Sequence, residues 1–218
     1  MTTPIVIVGA GGFGREVHDV IEALNEAGPE PVWEFLGFVD GHIADPALLA
    51  SRGPVLGGDE VLATLPAGTQ YVIAIAGGDV RRQIDAAATA HGLTAAVLVH
   101  PAATMGRHAI ELGPGTIICS HVSITTDVRL GRHVHLNLNV TVGHDAVLED
   151  YVTVNPSASI SGAVVIETEA MIGTGARVIQ GKRVGARSAI GAGAAVVRDV
   201  PADVTAIGIP AKVIGARI

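Results

Sequence analysis

Aromatic side chains are almost missing from this chain, with one tryptophan, two tyrosines and three phenylalanines among 218 residues. That scarcity points to a thin interior with no room for large rings. Cysteine is nearly absent too. The single Cys119 excludes an intrachain disulfide and a cysteine-only metal site. Long hydrophobic runs are lacking, although the mean hydropathy is +0.48. Apolar residues occur singly or in short stretches such as Ile5–Val8, far below the roughly 20 that cross a bilayer. Nor does a basic segment followed by a long apolar stretch open the chain, so no signal peptide is expected. Positive charge is also short: the formal net charge is −7, which argues against a nucleic-acid partner. A cytoplasmic protein that binds neither membrane nor nucleic acid is the expectation.

What the chain does have is a repeat. Leu, Ile or Val stands at every sixth position from Leu112 to Val196, passing through Ile118, Ile124, Leu130, Leu136 and Val142 without a phase error. With about a quarter of residues being Leu, Ile or Val, chance gives such a run roughly once in 10⁹ trials. The residue four after each anchor is usually small or Val, as at Val122, Ala146, Ala158 and Ala176. The residue just after an anchor is often Gly or Asn.

A period of six fits neither an ordinary helix nor a flat strand. It fits a three-sided prism of short strands, one inward anchor per face, with three hexapeptides closing a coil of eighteen residues. Coils then stack about 4.8 Å apart. Glycines after the anchors are expected to supply corners with positive φ. The array starts near Met105, one residue out of phase with the later hexapeptides.

Residues 1–100 obey another rule. An apolar run, Pro4–Val8, leads into Gly9-Ala10-Gly11-Gly12-Phe13-Gly14 and a helical pattern through Val17, Val20, Ile21 and Leu24. Strands are expected at Trp33–Asp40, Tyr71–Ala76 and Thr94–Val99, with a helix over Val80–Ala90, so strands and helices alternate in a small parallel sheet. The change of period divides the chain into residues 1–100, a Rossmann-like α/β domain, and residues 101–218, a β-helix with a C-terminal tail. A G-x-G-x-x-G between strand and helix suits a phosphate turn, and it also serves as a plain tight turn. The sheet is too short for two mononucleotide halves, so a nucleotide-linked sugar fits better than a dinucleotide. Asp40 can accept hydrogen bonds from a base or ribose, and Arg81 can face a diphosphate.

Among the solenoid histidines, His144 is followed directly by Asp145, a carboxylate able to fix the imidazole tautomer, so the pair can act as a general base. One coil is eighteen residues, which puts Gly162 above His144 and Thr126 below. The Gly162 N–H is then placed to stabilise an oxyanion. Asn137 and Asn155 are also one coil apart; Asn137 can orient an acceptor, or the pair can simply satisfy a solenoid corner. Lys182, Arg183, Arg187, Arg198 and Lys212 give the C-terminal end a local positive excess suited to a coenzyme phosphate.

The Gly9–Gly14 turn, the hexapeptide array, Gly143-His144-Asp145 and the closing Gly208-Ile209-Pro210-Ala211-Lys212 occur in order over nearly the whole chain. Together they resemble the nucleotide-amino-sugar N-acetyltransferases of bacillosamine and perosamine synthesis, a group that includes sialic acid O-acetyltransferase-like proteins. The resemblance implies a left-handed parallel β-helix, a homotrimer, acetyl-CoA as co-substrate without a metal, and transfer of acetyl to the amine of a nucleotide-linked 4-amino-4,6-dideoxy sugar. It implies His144 as base, Asp145 as its partner and Gly162 as donor to the thioester carbonyl. Gly11, Gly12, Phe13, Asp40, Gly41, Gly77 and Arg81 match the nucleotide-sugar loops. Thr174 and Ala192 match contacts to coenzyme A, with Lys212 in the closing segment near the coenzyme tail.

The chain departs from some members at Phe13 and Thr153, where they carry histidine, the latter near the pantetheine. Gly41 stands where a second acid is found. Sugar O-acetylation is the nearest alternative. A gamma-class carbonic anhydrase, with zinc held by three histidines between subunits, and a non-catalytic scaffold are more distant ones.

Overall fold

The computed structural model describes residues 2–42 and 46–217. The chain divides into two compact units, Met1–Pro101 and Ala102–Ile218. The first is built on five parallel strands: β1 (Thr3–Val8), β2 (Trp33–Val39), β3 (Val55–Gly57), β4 (Gln70–Ile73) and β5 (Thr94–Ala95). Their order across the sheet is β3-β2-β1-β4-β5. Helix α1 (Gly12–Glu26) follows β1 and helix α2 (Gly78–Ala90) follows β4. Because β1 is central, its Ile5–Val8 run is buried on both faces, which is why that stretch is apolar without alternation.

Two local expectations change. The expected strand Thr94–Val99 is two short pieces, Thr94–Ala95 and Leu98–Val99. Strand β5 is an edge strand paired only to Gln70 and Tyr71, and the chain leaves that sheet after Ala96 donates to the Tyr71 carbonyl. Strand β3, with the 3-10 turn Asp59–Thr64 after it, has no counterpart in the sequence reading. The chain leaves β1 toward β2 on one side, while β4 lies on the other. The strand order therefore reverses between β1 and β4, the place where such sheets open a ligand crevice.

The second unit is a left-handed parallel β-helix of two-residue strands. Each strand pairs in parallel with the strand one coil on: His135 with Thr153, Thr141 with Ser159, Val147 with Val165. We number the faces in chain order, the first containing His135–Leu136, the second Thr141–Val142 and the third Val147–Leu148. The anchors fill the interior, with Leu136, Leu148, Val154, Ile166 and Ile172 all at zero exposure. A strand that repeats every coil buries one aliphatic per face and needs nothing larger, which accounts for the missing aromatics.

The corners do not work as the glycines suggested. The left-handed residue stands three after each anchor, and most such residues are not glycine: φ is 51–59° at His121, Asp127, His133, Asn139, Asp145 and Tyr151. Glycines just after the anchors have ordinary φ and answer to a different constraint. A β-carbon on Gly143 would sit 2.6 Å from the Gly162 nitrogen, and one on Gly173 2.5 Å from the Ile190 oxygen. They permit coil-to-coil approach.

The phase slip is real. Met105 lies beneath Ile124, nineteen residues on, while Glu111 lies beneath Arg129 at the regular spacing. At the other end the chain closes with an antiparallel pair, Val204–Ile207 against Lys212–Ala216. No helix among the described residues is long and apolar enough to cross a membrane.

Candidate acyl-transfer corner and nucleotide cleft

The corner between the second and third faces stacks Thr126, His144, Gly162 and Gln180 vertically. Asp145 N–H donates to the Thr126 carbonyl at 3.2 Å, Ala163 N–H to His144 at 2.7 Å, and Gly181 N–H to Gly162 at 3.0 Å. His144 projects outward and its side chain is 51% exposed. Its Nδ1 lies 2.7 Å from Asp145 Oδ2, which leaves Nε2 as the nitrogen open to a reacting group. Asp145 occupies the left-handed corner position, φ 58°, and that bend turns its carboxylate back onto the neighbouring ring.

Gly162 sits directly over the imidazole. A β-carbon there would fall 2.5 Å from both Cε1 and Nε2. Among the described residues its N–H takes no acceptor, and the same is true of His144 and Gln180 in the column. The corner therefore pairs an accessible imidazole nitrogen with an unclaimed backbone donor, the two elements that acyl transfer needs.

Asn137 is not at this corner. It lies at the corner between the first and second faces, 7% exposed, with its side-chain amide donating to the Val154 carbonyl at 3.1 Å. Asn155 repeats the contact to Ile172 one coil up. The asparagine ladder thus satisfies coil carbonyls, and Asn137 and His144 stand at opposite ends of the second face. Thr174 and Ala192 stack on the Asn137 side, both exposed. Thr153 is on the first face and 3% exposed within the protomer.

The basic end is partly neutralised. Arg183 pairs with Glu167 at 2.6 Å and Arg187 with Asp203 at 2.6 Å, and each cation holds its partner carboxyl below the ordinary range. Lys182, Arg198 and Lys212 have no side-chain partner among the described residues. Gly208 and Ala211 bracket Ala195 by backbone hydrogen bonds of 3.0 and 2.8 Å, so the closing segment seals the last coil.

In the first unit, a cleft of about 410 Å³ opens at the carboxyl ends of β1 and β2, lined by Gly9, Asp40, Gly41, Glu60, Ile75 and Val80 among others. Gly9 has φ 102°, and a β-carbon on Gly14 would fall 2.1 Å from the Gly9 oxygen, so helix and strand touch through bare backbone. Gly11 caps α1 without any side-chain bond, and Gly11 and Gly12 are exposed, with open space at Gly11. Among the described residues their N–H groups take no acceptor, which suits them to an anion. Phe13 is half-buried in the first turn. Asp40 accepts from Ala10 N–H and His42 N–H, both at 2.8 Å, which fixes its carboxylate at the cleft wall.

Arg81 corrects the sequence reading. It is fully buried, and its Nη1 donates to the carbonyls of Ile75 at 2.9 Å and Ala76 at 2.8 Å. Those carbonyls end β4 just before the turn at Gly77, so the guanidinium clamps the strand end instead of lying open to a diphosphate. Gly77 is the N-cap of α2, and Asp79 is in its first turn. The cleft wall at Gly58, Asp59 and Glu60 was missed from sequence. Its Gly57-Gly58-Asp59 repeats the Gly77-Gly78-Asp79 pattern, the one signal that pointed there.

His121, His133, His135 and His144 fall on different corners and faces. The one group of three possible metal ligands among the described residues is His18, Asp19 and Glu22 on α1, outside the solenoid.

A stacked-coil prism with this corner, joined to a small α/β unit, defines a hexapeptide-repeat protein of acyltransferase architecture. Residues 4–86 match the PglD N-terminal domain family. Over 147 residues the chain is 35% identical to GDP-perosamine N-acetyltransferase of Escherichia coli O157:H7, a match taking in 64% of this chain and 61% of that protein. The chain thus spans about three-fifths of the length of that curated relative. Among solved structures, PerB from Caulobacter crescentus in complex with CoA and GDP-perosamine is 34% identical with a TM-score of 0.83, covering 97% of each chain. The acetyltransferase domain of PglB from Neisseria gonorrhoeae, in complex with acetyl coenzyme A, is 31% identical with a TM-score of 0.86, covering 98% of this chain and 100% of that one. The chain belongs to the family of hexapeptide-repeat nucleotide-amino-sugar N-acetyltransferases that these proteins represent.

Proposed function

We propose that this protein transfers the acetyl group of acetyl-CoA to the amine of a nucleotide-linked 4-amino-4,6-dideoxy sugar, and that it does so at the His144 corner. One observation carries the reading: an imidazole oriented by a carboxylate at 2.7 Å lies directly under a glycine whose N–H is unclaimed. The names of the relatives, which bind CoA or acetyl-CoA and GDP-perosamine, support the substrate class.

In this reading the thioester carbonyl lies against the Gly162 N–H. The sugar amine attacks the carbonyl carbon, and negative charge gathers on the oxygen facing that N–H. His144 Nε2 takes a proton from the amine nitrogen, while Asp145 on Nδ1 stabilises the imidazolium that results. The C–S bond then breaks and the departing CoA thiolate receives a proton. An unprotonated amine is already nucleophilic, so the base serves chiefly to prevent expulsion of the amine from the tetrahedral intermediate.

The N-terminal cleft takes the nucleotide in this scheme, with the diphosphate on the Gly11–Phe13 helix start and the ribose or base against Asp40 and Gly41. Thr174, Ala192 and Lys212, all exposed, are assigned to coenzyme A, whereas Thr153, 3% exposed on the first face, offers the coenzyme little surface. Thr174, Ala192 and Asn137 stand at the other end of the second face from His144. A complete site therefore calls for a second copy, and a homotrimer pairs the Asn137 corner of one protomer with the His144 corner of the next.

The test is direct. The protein is incubated with acetyl-CoA and with GDP-, UDP- or dTDP-linked 4-amino-4,6-dideoxy sugars, while thiol release and product mass are tracked. Thiol release matched by one added acetyl group on at least one acceptor is expected. Release no faster than acetyl-CoA hydrolysis with all three contradicts the proposal.

A further inference from the structure

Helix α1 carries a histidine that neither the nucleotide cleft nor the acyl-transfer corner uses. His18 is 4% exposed, and two of the chain's three phenylalanines hold its ring, with centroids 4.6 Å away at Phe35 and 5.9 Å away at Phe38. Its Nδ1 is buried and takes no hydrogen bond among the described residues. That nitrogen faces Glu22, one helical turn on, whose Oε2 is 3.5 Å away. A carboxylate oxygen of Asp19 completes the group, and the three donor atoms lie within 4.8 Å of one another.

Distance separates two uses of such a pair. A hydrogen bond between an imidazolium and a carboxylate closes to about 2.7–2.9 Å. Glu22 is 60% exposed and has the freedom to make that approach, yet it stands off. Burial also favours the neutral ring, pushing its pKa below the ordinary 6.5. Two donors on one tetrahedral zinc ion, at bonds of about 2.05 and 2.1 Å, stand about 3.4 Å apart. The observed separation is the bite of a metal site.

Arg52 meets the group twice. Its Nη2 lies 3.1 Å from Asp19 Oδ1, and its backbone hydrogen-bonds the His18 ring. Since Nδ1 takes no such bond, the backbone contact falls to Nε2 and turns the Nδ1 lone pair toward the carboxylates. A metal-binding histidine is held in this way. Arg52 offsets one of the two carboxylate charges, so the group still attracts a dication.

We propose that His18 Nδ1, Glu22 and Asp19 form a zinc site on α1, with water completing the coordination. One imidazole with two carboxylates suits zinc better than calcium or magnesium, which take shells of oxygen alone. No reacting group of the acetyl-transfer scheme belongs to the site. A chelate across one helical turn forms only when α1 is helical, so the ion stabilises the first unit.

Calorimetric titration of ZnCl2 into the full chain, stripped with EDTA and dialysed, tests this. One ion per chain is expected, and zinc at about 100 times its Kd should raise Tm by about 5 °C or more. Glu22→Gln and Asp19→Asn, both at exposed positions, should each weaken binding about tenfold or more. His18→Phe should abolish it. Wild-type protein that takes up no zinc at one equivalent overturns the proposal. So does zinc binding left unchanged by Glu22→Gln and Asp19→Asn, which would place the ion on other residues even if His18→Phe folds poorly.

Discussion

The imidazole of His144 lies beneath the backbone of Gly162, its neighbour one full coil later, so closely that a β-carbon at 162 would fall 2.5 Å from Cε1 and Nε2. Nothing else in the sequence demands glycine there, since its φ is not in the left-handed region.

Gly162→Ala should therefore leave the coil intact and displace the ring. A reacting group moved by about 1 Å costs on the order of 10² in rate. We expect kcat to fall about 100-fold with a melting temperature within about 3 °C of wild type. A large loss of stability would mean that the glycine serves packing alone.

Arg81 gives a prediction about stability. Arg81→Met leaves the Ile75 and Ala76 carbonyls without their donor in the interior, at a cost of about 2–4 kcal/mol. Urea unfolding should show this loss, and Arg81→Lys should restore only part of it, because an ammonium cannot reproduce the planar fork.

A third concerns pH. His18 is 4% exposed against Phe35 and Phe38, and burial lowers its pKa below the ordinary 6.5, partly opposed by Glu22. The unfolded chain binds the proton first as pH falls. Stability should accordingly be constant above about pH 7 and decline below 6.5, by at most about 1.4 kcal/mol per pH unit from this group. His18→Phe should flatten that decline between pH 6.5 and 5. An unchanged slope would assign the pH dependence to other groups.

Much of this was legible in the residues, and the exceptions have physical reasons. Anchors such as Leu136 and Val154 announced the prism because one inward side chain per face leaves an unbroken period. The same period placed Gly162 over His144. It also set Asn137 and Asn155 one coil apart on a neighbouring face from His144. Whether Asn137 orients an acceptor or only satisfies a corner carbonyl it left open, because the period carries no information on side-chain hydrogen bonds such as that to Val154. Glycines after the anchors were read as corner formers, when the corners rest on residues such as Asp145 and Asn139 and the glycines relieve crowding between coils. In the first unit the Gly9–Gly14 turn and Asp40 were readable from strand–turn–helix order. Strand β3 was not, being three residues long and half-buried throughout. Arg81 shows the limit most clearly, since no local pattern marks a guanidinium that folds inward onto two carbonyls.

The acyl-transfer corner itself is tested most directly by kcat of His144→Ala with acetyl-CoA and whichever nucleotide-linked amino sugar the wild type acetylates. A fall of about 10²–10⁴, with KM for acetyl-CoA little changed, is the result expected of a lost general base. Turnover close to that of the wild type would show that the reaction happens elsewhere on the molecule.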